Sequence, residues 1–134
     1  MSDVLVFPDT RGAVWDLING AEHVGVTVHA AYHMSTDSYG VPSGPFPVAL
    51  ITTEPGTQGY VDRKDRITVE VYAPGEQAMN VAQSIYASIV GPDIDTPSGY
   101  LDEVQADQTP YERPYQSDML NRSEFRVVVT VRPV

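Results

Sequence analysis

Residues 66–90 read Arg66-Ile67-Thr68-Val69-Glu70-Val71-Tyr72-Ala73, then Pro74-Gly75, then EQAMNVAQSIYASIV. The first eight alternate, with Ile67, Val69 and Val71 on one side and Arg66, Thr68, Glu70 and Tyr72 on the other. Period two with this many β-branched residues predicts a half-buried strand. Pro74-Gly75 breaks it. From Glu76 to Val90 the period becomes helical: Ala78, Val81, Ala82, Ile85 and Ile89 form one stripe, with Tyr86 and Val90 beside it. Gln77, Asn80, Gln83, Ser84 and Ser88 make the polar side, and Gly91-Pro92 stops the helix. A one-sided strand running into a one-sided helix predicts a helix covering one face of a sheet.

On the N-terminal side, Pro47–Thr53 is an almost unbroken apolar run, which suits a central strand covered on both faces. It is expected to lie antiparallel to Arg66–Ala73 across a long loop from Glu54 to Asp65. His23–Tyr32 alternates cleanly and predicts another strand. Thr10–Asn19 predicts a helix, with Asp9 or Thr10 as its cap and Gly20 ending it. Residues 35–47, rich in Ser, Gly and Pro, predict a loop.

On the C-terminal side, Asp93–Ser98 predicts a turn-rich link and Gly99–Gln108 a polar edge strand. Thr109–Asn121 reads as a long connection. Glu124–Val131 is the final strand, with Phe125, Val127, Val129 and Val131 pointing one way. The expected fold is α+β: a mainly antiparallel or mixed sheet of four to five strands with two helices packed on one face. The expected order is α-β-β-β-α-β-β, in a single domain spanning 1–134.

The composition narrows the function. Eight basic residues against 18 acidic ones give a formal net charge of −10, the wrong sign for a surface that grips nucleic-acid phosphates. The absence of cysteine removes disulfides, thiolate metal sites and cysteine nucleophiles. No apolar run approaches the ~18 residues of a membrane span. The N-terminus has no basic start, so no signal peptide and no membrane association are expected, and the chain is expected to begin in the cytoplasm.

The residues that invite chemistry read as structural. His23, His29 and His33 suggest a metal, but strand residues four apart lie ~13 Å from each other. Two ligands of one zinc must each sit ~2 Å from it, so polar positions on a solvent or subunit face are the expected reading. The carboxylate pairs Asp62/Asp65, Asp93/Asp95 and Asp102/Glu103 have no neighbouring apolar pocket that would raise one of them for acid catalysis. Nucleophile elbows, phosphate-binding loops and dinucleotide fingerprints are missing. No catalytic, cofactor-binding or metal-binding residue is expected, and no cofactor.

Three stretches together resemble the tail terminator (tail completion) proteins of bacteriophages with long non-contractile tails. They are the opening helix followed by His23–Tyr32, the Arg66–Ala73 strand running into the Glu76–Val90 helix, and the close. The close runs from Pro114-Tyr115-Gln116 through Asn121-Arg122-Ser123-Glu124-Phe125-Arg126-Val127-Val128-Val129-Thr130-Val131-Arg132. The resemblance implies a small domain assembling into a homohexameric ring, without catalysis or cofactor. Such a ring sits on the last ring of the tail tube, stops tube polymerisation, and presents a surface to the head–neck connector protein. It would act in the virion, at the neck end of the tail, after assembly in the host cytoplasm, with DNA passing through its lumen without sequence-specific binding. Six such chains multiply the −10 sixfold, and an acidic lumen lets DNA slide instead of sticking.

On that reading the loop residues Glu54, Asp62, Arg63, Lys64 and Asp65 are candidates for tube or lumen contact. Arg126, Thr130 and Arg132, on the outward side of the final strand, are candidates for the subunit interface. Another neck component, such as a head-closure or head–tail adaptor protein, is the alternative. An enzyme on a similar scaffold would instead show a deep pocket lined by two carboxylates or a histidine pair.

Overall fold

The computed structural model describes residues 6–39, 43–59, 62–113 and 120–133. Helix α1 (Thr10–Ile18) starts where the Asp9 carboxylate accepts the Gly12 N–H at 3.1 Å and ends as the Asn19 N–H reaches the Trp15 carbonyl. Strands β1 (Glu22–His23) and β2 (Val26–Thr27) form a small hairpin, followed by β3 (His29–Ala31). Two long strands come next, β4 (Val48–Gln58) and β5 (Arg63–Ala73), then helix α2 (Gln77–Ile89). The chain closes with β6 (Gly91–Thr96), β7 (Gly99–Arg113) and β8 (Asn121–Val131).

Six strands form one sheet in the order β3-β4-β5-β8-β7-β6. Only the β3–β4 pair is parallel; every other neighbouring pair is antiparallel. The core lies between the sheet and the helices. Ile67, Val69 and Val71 of β5 and Phe125, Val127, Val129 and Val131 of β8 are fully buried there. They meet Val14 and Ile18 of α1 and Val81, Ala82 and Ile85 of α2 in one hydrophobic cluster. The Tyr86 ring stands edge-on to Phe125, centroids 5.7 Å apart.

This architecture corrects the sequence expectation of four to five strands in the order α-β-β-β-α-β-β. Eight strands are found among the described residues, in the order α-β-β-β-β-β-α-β-β-β, with six of them in the main sheet. The reasons are local. His23–Tyr32 is not one strand, because Val24 (φ 51°) and Gly25 (φ 78°) are both left-handed and close a two-residue hairpin loop. A two-residue loop pairs His23 with Val26 and Glu22 with Thr27, residues of opposite parity, so the alternation read through 23–32 does not map onto one face. Asp93–Ser98 is not merely a link, since residues 91–96 pair with β7 as an edge strand, where Pro92 is tolerated.

Glu54-Pro55-Gly56 does not end a strand either. The β4–β5 register shifts between Glu54 and Thr57 and then continues to Gln58 and Arg63, which marks a bulge. A side chain at Gly56 would overlap the Lys64 carbonyl, so only glycine fits there. The expected 54–65 loop therefore contracts to the link between Gln58 and Arg63, and β7 carries the chain through Pro110 to Arg113. The first half of β4 is covered on both faces, with Ala49 and Ile51 buried on the helix side and Val48 buried and Leu50 half-buried on the other, whereas Thr52 and Thr53 are exposed. It lies between β3 and β5, and only its Thr52–Thr53 end departs from the double cover that its composition predicts.

Register fixes where the two long hairpins point. Arg63, at the β4–β5 end, pairs with Val131, whereas Tyr72 pairs with Arg122, at the β7–β8 end. The β4–β5 and β7–β8 hairpins therefore extend toward opposite ends of the sheet. β7, with 15 residues, spans ~50 Å.

Candidate functional site: the open face of the sheet

The face of the sheet away from the helices carries the alternate side chains of β4, β5, β7 and β8, and charged residues recur on all four strands. Between Tyr72 and Thr57 along β4–β5, and between Arg113 and Glu103 on β7, they form a lattice of cross-strand pairs. Arg122 lies 3.7 Å from Glu70, whose other bond is from the Tyr72 hydroxyl at 2.7 Å. Arg113 donates to Glu124 at 2.9 Å, and Tyr111 donates to the same carboxylate. Glu124 is only 4% exposed, so these two donors meet its need for partners in place of water. Arg126 reaches Glu54 at 3.5 Å and Asp107 at 3.9 Å, and its Nε lies 3.4 Å from the Thr68 hydroxyl.

The electrostatics follow from these contacts. Burial, and then the bond to Glu70, push the Tyr72 hydroxyl up to about 12. The bond to Glu124 raises Tyr111, and the bond to Asp93 raises Tyr100. The three phenols thus remain protonated donors at neutral pH. Arg63, Arg113 and Arg132 are held further in their charged form by the carboxylates they donate to, Asp65, Glu124 and Asp102.

The sequence candidates separate in this geometry. Arg126 and Arg132, expected to meet a neighbouring subunit, are paired within the chain, Arg132 with Asp102 at 2.8 Å. Thr130 lies in register between Lys64 of β5 and Glu103 of β7. Of the residues expected to meet tube or lumen, Arg63 and Asp65 face the helices instead. Asp65 is 5% exposed, accepts from Thr10 Oγ1 at 2.7 Å and is gripped by Arg63 at 2.9 Å, so the pair ties α1 to β5. Glu54 belongs to the Arg126 pair, and Asp62 closes the tip by accepting the Gly59 N–H at its carbonyl. Lys64 alone of the five projects, exposed, from the open face.

Beside Lys64 is a shallow depression of about 400 Å³ lined by Gly56, Thr57, Lys64, Arg66, Gln105 and Val128. Four strands build it, and the β4 bulge shapes its wall. Sequence reading places Arg66 on the outward side but cannot bring Gln105 and Val128 to it, because that needs the β5–β8–β7 register. The histidines part company too. His23 is buried, with Nδ1 2.8 Å from Ser84 Oγ of α2, while His29 and His33 line a recess of about 180 Å³ beside β3. No cluster of three or more His, Asp or Glu side chains suited to hold a metal ion is found among the described residues. No helix among the described residues is long and apolar enough to cross a membrane.

What the open face offers chemically is a firmly held charged surface with one shallow groove. No model of a known protein family matches the chain, and no curated protein matches it.

Proposed function

We propose that this chain is a ring-forming structural protein that caps a bacteriophage tail tube, stops its polymerisation and provides the surface that joins tail to head–neck connector. The observation that carries the reading is the pair of long hairpins directed to opposite ends of one sheet. A terminator meets two different partners, the tube on one side and the connector on the other, and loops carried on a rigid scaffold are where such contacts concentrate. The sequence resemblance in the opening helix, the strand–helix unit and the closing strand supports the same reading. So does the formal charge of −10, which favours passage of DNA through a lumen over retention. In this proposal the chain works as a homohexamer in the virion, at the neck end of the tail, after assembly in the host cytoplasm, without cofactor or catalysis.

The test is to add the purified protein to polymerising tail-tube subunits and to image tube lengths and ends by electron microscopy. Caps at one end with arrested growth are expected. Tubes of unchanged length with bare ends refute termination. Binding to DNA-filled heads instead would then identify a head-closure or adaptor protein.

A further inference from the structure

The basic side chains of this chain are unevenly committed. Of the eight, five arginines are ion-paired within the chain, and Arg11 lies over the Tyr32 ring, 3.7 Å from its centroid. Among the described residues, only Lys64 and Arg66 have neither a carboxylate nor a ring. Arg66 stands in register with Glu54, but that carboxylate is turned to Arg126 and Thr68. Both uncommitted cations are exposed, two residues apart on a regular stretch of β5, and both line the 400 Å³ groove. Its floor is the half-buried Val128, with Thr57 and Gln105 as neutral hydrogen-bonding groups beside them.

We propose that this groove is the receiving half of a head-to-tail contact between copies of the chain, and that it takes Asp93 and Asp95 from the edge strand β6 of the next copy. The inference rests on the ring reading above and names its subunit contact. Two cations at i and i+2 of a strand are ~6.6 Å apart along the chain, and Asp93 and Asp95 are likewise two residues apart on β6, where Asp93 itself takes a left-handed φ of 54°. Asp93 and Asp95 are both exposed on the outermost strand of the sheet. The bond that Asp93 receives from the neutral Tyr100 hydroxyl leaves its charge in place. Asp95 has no side-chain partner among the described residues.

Other anions fit less well. A duplex carries one charge per ~1.7 Å, and two cations on a chain of net −10 cannot hold it against the remaining acidic surface. Because groove and edge strand are different patches, the contact is heterologous. Such contacts close into rings when the rotation allows, and they give the ring two unlike faces. The arginines of the final strand do not serve this purpose, since their charge is already matched inside the chain.

The test compares wild type with K64E/R66E, D93K/D95K and the chain carrying all four changes. Assembly is followed by sedimentation of the purified chain and by imaging on tail tubes, with circular dichroism to verify the fold. Wild type is expected to assemble, less so as salt rises. Each double variant is expected to need a concentration higher by on the order of tenfold or more. The fourfold chain, whose charges are exchanged, is expected to regain assembly. Unimpaired assembly of K64E/R66E overturns the contact and leaves the ring reading standing. So does failure of the exchanged chain to recover while its fold is intact. A wild-type chain that assembles neither alone nor on tubes overturns the ring reading and the contact with it.

Discussion

The two helices rest on one sheet but are attached by different forces. α2 carries no charged side chain and meets the sheet through Ala78, Val81, Ala82, Ile85 and Ile89, all essentially fully buried. α1 buries only Ala13, Val14 and Ile18 among its apolar residues and adds polar ties at both ends. Thr10 donates to Asp65 of β5 at 2.7 Å, while Asp16 accepts from the N–H of Ser98 at 3.0 Å and from its hydroxyl at 2.6 Å. An apolar stripe tolerates small shifts because dispersion and water exclusion are non-directional. A buried carboxylate with two designated donors does not, because each donor or acceptor left alone must be desolvated for nothing. α2 therefore supplies much of the stability, and α1 is held in one position.

The largest effect should come from the apolar attachment. Ile85 is fully buried between α2 and the sheet. Ile85→Ala removes three carbons and leaves a cavity, and should lower stability by about 2–5 kcal/mol. Urea denaturation reads this as a lower midpoint with unchanged slope. A loss much smaller than this would mean that α2 is not the principal apolar attachment.

Asp65→Ala is the matching test of α1. It strands the Thr10 hydroxyl and the Arg63 guanidinium, and Arg63, with 38% of its side chain exposed, can recover water. The expected loss is therefore about 1–3 kcal/mol, below that for a fully buried ion pair. Its location distinguishes it from the first variant: amide exchange should quicken in α1 and stay slow in α2. Equal acceleration in both helices would show that the two attachments are not separable.

These attachments were unequally legible in the sequence. The α2 stripe is a local pattern within 12 residues, so periodicity alone finds it. The α1 tie joins Thr10 to Asp65 across 55 residues, and both are residue types that ordinarily cap helices or turns. The same limit applies to the candidate site. Arg126 and Arg132 read as free outward charges, because Glu54, Asp107 and Asp102 come from other strands and meet them only through register. The sequence places Lys64 in a loop because Pro55-Gly56 signals a break, and only the tertiary pairing turns that signal into a bulge. The hairpin at Val24-Gly25 is the opposite case. Gly25 is visible in the sequence, but a β-branched Val at positive φ is so uncommon that the alternation around it reads as one strand.

A smaller effect is expected at the start of α1. The Asp9 carboxylate accepts the Gly12 N–H at 3.1 Å, one of the first-turn amides with no partner inside the helix. Asp9→Ala should cost about 1 kcal/mol, and Asp9→Ser, which keeps an acceptor, should restore most of it. Thermal denaturation of the three proteins resolves the difference. Identical stability of all three would assign the fixed position of α1 to its Asp65 and Ser98 ties alone.

The most local prediction concerns α2's own polar tie, the contact between His23 Nδ1 and Ser84 Oγ at 2.8 Å. The ring is 7% exposed, and its Nε2 has no hydrogen-bond partner among the described residues. Neutral imidazole tolerates this arrangement, but imidazolium puts a proton on both nitrogens and leaves a buried N–H without an acceptor. Burial accordingly lowers the His23 pKa below 6.5 in the folded chain. The unfolded chain then binds the proton first as the pH falls. This contribution is complete above 6.5 and is lost progressively below it, until the folded-state value is passed. His23→Gln keeps a group able to bond Ser84 but cannot titrate, so its stability should fall less than that of wild type on acidification from neutral pH to about 5. Parallel decline of the two proteins would refute the assignment. The loss should begin as release of the β1–β2 hairpin from α2, because the buried stripe that holds the helix to the sheet, Ala78, Val81, Ala82, Ile85 and Ile89, is aliphatic throughout.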